Sequence, residues 1–175
     1  MRKVYDEPMF IDLKIGIKKK EEAKKSLAED IRRLCDSQSF AVLATQGNGQ
    51  PYATLISFAA TQNLKYIIFT TPKATRKYSL IEGDKRVSLL IDNRSNQPDS
   101  INQISALTIT GNARILTDED QEHWTDLFME KHPYLSNFVE SDSTAMILVE
   151  VVRYFYVRKF QEVFEWSPKQ NSSSL

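Results

Sequence analysis

Thr71, Thr75, Arg76 and Lys77 are the residues of this chain whose types and spacing point most directly to chemistry. Two hydroxyls four positions apart lead into an adjacent guanidinium and ammonium, just behind the apolar run Tyr66-Ile67-Ile68-Phe69 and Thr70. Pro72 stops the strand that this run predicts, and a short helix is expected behind it, ending near Gly83. The first amides of a helix have no intrahelical partner, and the dipole favours negative charge there. A hydroxyl, a planar fork and a point charge at such a terminus complement a terminal phosphate. One reading of the stretch is therefore a cradle for a phosphate monoester dianion. The other is a solvated helix face carrying two cations, and the stretch alone leaves both open.

The remaining reactive residues offer less. His123 and His132 flank a predicted helix, not at the i, i+4 spacing of a metal pair, and read as helix-surface histidines. Cys35, the only cysteine, ends an apolar helix face and reads as a buried structural thiol. No metal site and no Ser/His/Asp constellation can be assembled from spacing, so catalytic residues stay unassigned.

These residues must be carried by a framework that the pattern makes visible. Ala23, Leu27, Ile31 and Leu34 recur at helical spacing and predict an N-terminal amphipathic helix over 18–35, behind an irregular segment. Its basic start, Lys18-Lys19-Lys20 with Lys24-Lys25, reads as a solvated face. Phe40 to Thr45 predicts a buried strand. Asn48-Gly49 predicts a type I′ hairpin turn, because both central residues need positive φ. The return strand is expected over Tyr52 to Ala60, and the next over Lys65 to Thr71. Ala74, Tyr78 and Ile81 predict one face of the short helix. Strands follow over Arg86 to Asp92 and Ile104 to Leu116, with Gly111 marking a bulge or close backbone approach. Between them, 93–100 reads as a polar loop. Asp118 to Lys131 predicts a helix with an acidic first turn. Ala145 to Val152 and Tyr154 to Phe160 read as further strands, within a C-terminal strand region over 145–166. Short strands joined by hairpins, with three helices, predict a mainly β fold: a small antiparallel barrel of about six to seven strands with peripheral helices.

The bulk numbers narrow the partners. The 175 residues fit one domain over 1–168, with a polar, serine-rich tail over 169–175 expected to be disordered. Lys+Arg and Asp+Glu are 23 each, so no global field attracts nucleic acid or an anionic membrane. No apolar run approaches the roughly 20 residues of a membrane span. With no apolar leader at the N-terminus and a single cysteine, a cytoplasmic protein is expected.

Several motifs, taken in order, add a resemblance. Phe69-Thr70-Thr71-x-x-x-Thr75-Arg76-Lys77, followed by Leu80, resembles the strand–turn–helix phosphate motif of the pyridoxamine 5′-phosphate oxidase-like FMN-binding split-barrel superfamily. That motif runs roughly F-Y-T-x-x-x-S-R-K and then a leucine. Asp84-Lys85-Arg86-Val87-Ser88-Leu89 is similar to the opening of the family's next strand. Upstream, Phe40-Ala41-Val42-Leu43-Ala44-Thr45, then Gly49-Gln50-Pro51-Tyr52-Ala53-Thr54 and Ser57-Phe58 are similar to its first hairpin. Gly111-Asn112-Ala113-Arg114-Ile115-Leu116 is similar to its G-x-A-x-x-L strand. The resemblance covers about residues 36 to 117.

It implies a split β-barrel that binds FMN. Arg76, Lys77 and the hydroxyls of Thr71 and Thr75 would hold the FMN phosphate. Leu55, Ile56, Ser57 and Phe58 would line the isoalloxazine ring, partly through backbone groups, with Thr70 beside the ribityl chain. Family members are usually homodimers with FMN at the subunit interface. In the aromatic C-terminal region, most rings read as core or interface, and Trp166 is the candidate to approach the flavin.

The chain departs from the named oxidase in two places. Ala106 and Thr108 stand where that enzyme carries glutamine and arginine, and its closing arginine-and-histidine substrate motif is replaced by Tyr154-Phe155-Tyr156-Val157-Arg158-Lys159. The resemblance thus implies a flavin oxidoreductase working with a different small-molecule substrate or electron donor. The alternatives are a flavin-binding electron carrier or sensor without turnover, a deazaflavin protein, and a haem-binding or haem-handling protein that would use His123 or His132 as axial ligand.

Overall fold

The computed structural model describes residues 22–95, 102–159 and 162–168. The predicted helix start at 18–21 and its lysines, most of the loop over 93–100, and the tail over 169–175 lie outside them. In chain order the elements are α1 (Glu22–Ser37), β1 (Phe40–Gly47), β2 (Gln50–Ala60), β3 (Tyr66–Pro72), α2 (Arg76–Gly83), β4 (Arg86–Asp92) and β5 (Ser105–Ile115). There follow α3 (Asp118–Lys131), a 3₁₀ turn (Pro133–Leu135), α4 (Ser136–Val139), β6 (Thr144–Arg158) and β7 (Glu162–Trp166).

The strands run β3-β2-β1-β4-β5-β6-β7 in one antiparallel sheet, and β3 also pairs with β6. Six strands therefore close into a barrel and β7 is an extra strand beside it, in agreement with the expected mainly β fold. Closure is possible because β6 is long. Its 144–150 half pairs with β3 and its 154–158 end pairs with β7, while β5 follows it from Ser105 to Ile115. The two C-terminal strands expected from the pattern are thus one 15-residue strand. The register shifts between Thr110 and Gly111, where Arg153 and Val151 are the successive partners, so Val152 is the extra residue of a bulge. Gly111 is needed there. A Cβ on it would lie 2.6 Å from Val149 Cγ1 and 2.7 Å from the Glu150 carbonyl oxygen.

Two apolar clusters follow from the period-2 alternation of the strands. Leu43, Phe58, Ile67, Phe69, Leu89, Ile109 and Tyr154 fill the barrel, and Ile31, Leu34 and Cys35 of α1 cover them. Ile68, Met146 and Leu148 face outward and are buried with Phe128 of α3. That double cover explains why Ile67-Ile68-Phe69 is an uninterrupted apolar run. At the hairpin, Asn48 and Gly49 take φ of 52° and 79°, as the type I′ turn requires. Cys35 is fully buried, and burial pushes its thiol up to about 12.

Two expectations are corrected. The short helix begins at Arg76, so Ala74 precedes it and is exposed, while Ile81 alone among the three predicted face residues is buried. His132 is not a surface histidine. It caps α3 with 0% exposure, because the chain turns inward at Pro133 into the 3₁₀ turn and α4, two elements the pattern did not signal.

Candidate functional site

The site begins where two strands part. β2 and β3 pair at Ala60↔Ile67, Ala59↔Ile68 and Phe58↔Phe69, and the ladder ends there. Each strand then follows its other neighbour: β2 stays on β1 from Ser57 to Gln50, and β3 stays on β6 to Pro72. A cleft opens, flanked by Leu55, Ile56 and Ser57 on one side and Thr70, Thr71 and Pro72 on the other. The backbone edges facing it carry hydrogen-bonding groups that no strand satisfies.

Alternation sorts the side chains around it. Ile56, Phe58 and Thr71 are buried and point into the barrel, so Ile56 and Phe58 can offer a ligand in the cleft only backbone. Leu55, Ser57 and Thr70 point outward, and Leu55 is 66% exposed.

α2 closes the lower end of the cleft. It crosses the β1–β2 hairpin, where Leu80 packs on Gly47 so closely that a Cβ would collide with it. Gln46 Nε2 donates to the Asp84 carboxylate at the C-terminal cap of α2 over 2.6 Å. The N-terminus of α2 is thereby carried from β3 back towards β2. Thr75 occupies the N-cap, but its side chain makes no capping bond. Its hydroxyl donates backward to the Pro72 carbonyl over 2.8 Å, and Thr71 Oγ1 lies 3.0 Å from Thr75 Oγ1, which makes Thr71 the donor to it. The amides of Arg76, Lys77 and Tyr78 are left without an intrahelical or side-chain acceptor. Arg76 is exposed, with its Cζ 5.4 Å from the centroid of the Tyr52 ring. Lys77 is half-buried, and desolvation lowers its proton affinity, as it does for an ammonium without a counter-charge.

Thr71, Thr75, Arg76 and Lys77 are thus brought together, at the foot of the cleft flanked by Leu55, Ser57 and Thr70. Trp166 is not. It pairs with Tyr154, and its ring packs 5.5 Å from that of Tyr154. Thr70 pairs with Met146, and Tyr154 lies eight positions further along β6, which is roughly 25 Å of extended strand.

The structure adds residues to which the motifs gave no role. Thr54, on the same face of β2 as Tyr52 and Ile56, buries its Oγ1 without a hydrogen-bond partner, an arrangement that costs stability unless something outside the chain completes it. Tyr52 and Thr54 are ordinary strand residues in sequence, and only the closure of α2 over the hairpin gives them significance. His132 Nε2 donates to the Phe58 carbonyl over 2.8 Å and Tyr134 donates to His132 Nδ1 over 2.9 Å. Beside it, Lys131 Nζ donates to the Cys35 carbonyl over 2.7 Å and lies 3.9 Å from the centre of the Phe58 ring. These two residues tie α3 and α1 to β2 at its last rung with β3. Among the described residues no group of three His, Cys, Asp or Glu could hold a metal ion, and no helix is long and apolar enough to cross a membrane.

Uncapped amides and two cations suit a phosphate ester, and an open strand edge suits a flat ring above it. Comparison with known proteins bears on the fold. The chain is similar in fold to a heme binding protein from Mycobacterium smegmatis (TM-score 0.71, 15% identity, 81% of this chain and 57% of that one). It is similar to a protein of Clostridium acetobutylicum related to general stress protein 26, of the pyridoxinephosphate oxidase family (TM-score 0.63, 15% identity, 82% of this chain and 95% of that one). It is also similar to a FAD-binding protein of Mesorhizobium loti (TM-score 0.59, 13% identity, 74% of this chain and 92% of that one). A search of curated proteins finds no match. The family model for pyridoxamine 5′-phosphate oxidase matches residues 27–158, and the chain belongs to that family.

Proposed function

We propose that the protein binds FMN in the cleft between β2 and β3 and acts as a flavin oxidoreductase on a small substrate or electron donor. The observation that carries this is the N-terminus of α2: Thr75 turns its hydroxyl away from the helix, and three amides, Arg76 and Lys77 are left for a dianion. The phosphate sits there, with Thr71 and Thr75 turning their hydroxyls from each other and from Pro72 to donate to it. Thr70 borders the ribityl chain. Leu55 and Ser57 meet the ring system with side chains, and Ile56 and Phe58 through backbone.

When bound, the flavin supplies the electron transfer, so this chain's residues have only to bind, orient and shield it. Shielding involves a second copy. Leu55 and Phe40, 66% and 53% exposed, start an outward apolar belt. Leu55 pairs with Val42 and Val42 with Leu90, and Ala106, diagonal to Leu90, pairs with Val157, the partner of Val163, which is 52% exposed. A homodimer joined through this belt covers Leu55 and places the flavin at the interface. A contribution from Trp166 comes in that arrangement from the second copy.

The haem alternative finds little support in the histidines. Both ring nitrogens of His132 are engaged within the fold, and His123 lies on the exposed side of α3 against Trp124. The test is the chromophore of the purified or reconstituted protein, followed by stopped-flow mixing with NADH or NADPH. A flavin spectrum, released FMN and reduction by either donor support the proposal. Tight FMN binding without reduction identifies a carrier or sensor, and a Soret band that vanishes in His123→Ala identifies a haem protein.

A further inference from the structure

We infer that Tyr52 is a positioning residue for Arg76, setting affinity for the phosphate end of the bound ligand and not for its ring. The inference rests on the flavin-phosphate reading of the cleft. Arg76 is on an exposed helix terminus, and a free arginine there samples many rotamers that must be given up when an anion binds. Its Cζ lies 5.4 Å from the centre of the Tyr52 ring, within cation–π range. Among the described residues Arg76 forms no ion pair, whereas Arg86, Arg114 and Arg158 each engage a carboxylate. An aromatic face orients a guanidinium without using its N–H donors, so the fork stays available for phosphate oxygens.

The backbone that carries the ring is fixed. Tyr52 pairs with Thr45 in the β1–β2 ladder, and Thr45 Oγ1 donates to the Tyr52 carbonyl over 3.3 Å. Leu80 against Gly47 and Gln46 on Asp84 hold α2 over the same hairpin, so the two partners are brought together from separate elements. Tyr52 stands on β2 and Arg76 follows β3, so the contact spans the foot of the cleft at the level where the two strands no longer pair.

The experiment is a double-mutant cycle of Tyr52→Leu and Arg76→Ala, with FMN and riboflavin each titrated into every variant. Tyr52→Leu is expected to weaken FMN about three- to fivefold, the exposed-site range of a cation–π contact, and to leave riboflavin unchanged. In the Arg76→Ala background it should have no further effect, and Tyr52→Phe should keep wild-type affinity for both. Equal losses with and without Arg76, or equal losses for FMN and riboflavin, would overturn the inference, since a general packing defect behaves that way. If the wild type binds neither flavin, the flavin reading itself fails and this inference falls with it. Tyr52 is half-buried near the start of its strand, and Tyr52→Phe keeps the comparison interpretable should the leucine variant misfold.

Discussion

His132 and Phe58 are joined by a hydrogen bond of 2.8 Å across 74 positions of sequence, with the imidazole fully buried. A carbonyl can only accept, so the proton sits on Nε2, and Nδ1 takes the hydroxyl proton of Tyr134. The bond anchors the end of α3 to β2 at the rung where β2 and β3 stop pairing.

Its first consequence concerns acid. Burial, with a smaller push from the Lys131 charge, lowers the proton affinity of His132 against the bond to Phe58, which raises it. The unfolded chain therefore binds a proton that the folded chain refuses, starting near the ordinary histidine value of 6.5. Stability should fall as pH drops below that value towards the lowered folded one, and the contribution of His132 should be flat above it. Urea midpoints at about pH 7.5 and about pH 5.5 check this, and His132→Gln should shrink the difference. Asp84 does not confuse the window. Its carboxyl, held at about 2 by Arg86, contributes in full above pH 3.8 and loses that contribution only between there and about 2, below the window.

Thr54 offers a separation of folding from binding. Its buried hydroxyl lacks a partner in the free chain, so Thr54→Val should leave apo stability unchanged or slightly raised. If that hydroxyl completes the cradle, FMN affinity should fall by about tenfold, as for one hydrogen bond to a charged group. Calorimetric titration and thermal melts on the same variant give both numbers, and a stability loss without an affinity loss would remove Thr54 from the site.

The apolar belt predicts assembly. Leu55→Glu places a charge within the proposed contact, where an unpaired buried charge costs several kcal/mol by order of magnitude. Sedimentation velocity should show the wild type as a dimer and the variant shifted to monomer, with FMN binding weakened in parallel. A wild type that is monomeric when loaded with FMN would contradict the interface.

Much of the framework was legible because local chemistry demanded it. Asn48-Gly49 could satisfy two positive φ values, Gly111 marked a crowded backbone, and the acidic first turn of α3 set its start at Asp118. The cradle residues were legible as a group because Pro72 separates strand from helix within a few residues. What escaped depends on contacts distant in sequence. Tyr52 and Thr54 acquire meaning only when α2 folds over the hairpin. His132 looks like a helix-end histidine until its partner at Phe58 is seen. Trp166 pairs with Tyr154 at the far end of β6, a placement that the aromatic run alone does not reveal.

The most direct measurement is FMN affinity by calorimetry for the wild type and for Arg76→Ala/Lys77→Ala. The wild type should bind FMN tightly. The double variant should lose several kcal/mol, at about 1.5–3 for each charged hydrogen bond removed, while riboflavin binding stays the same. Equal FMN affinity in the two proteins would mean that no phosphate sits at the N-terminus of α2.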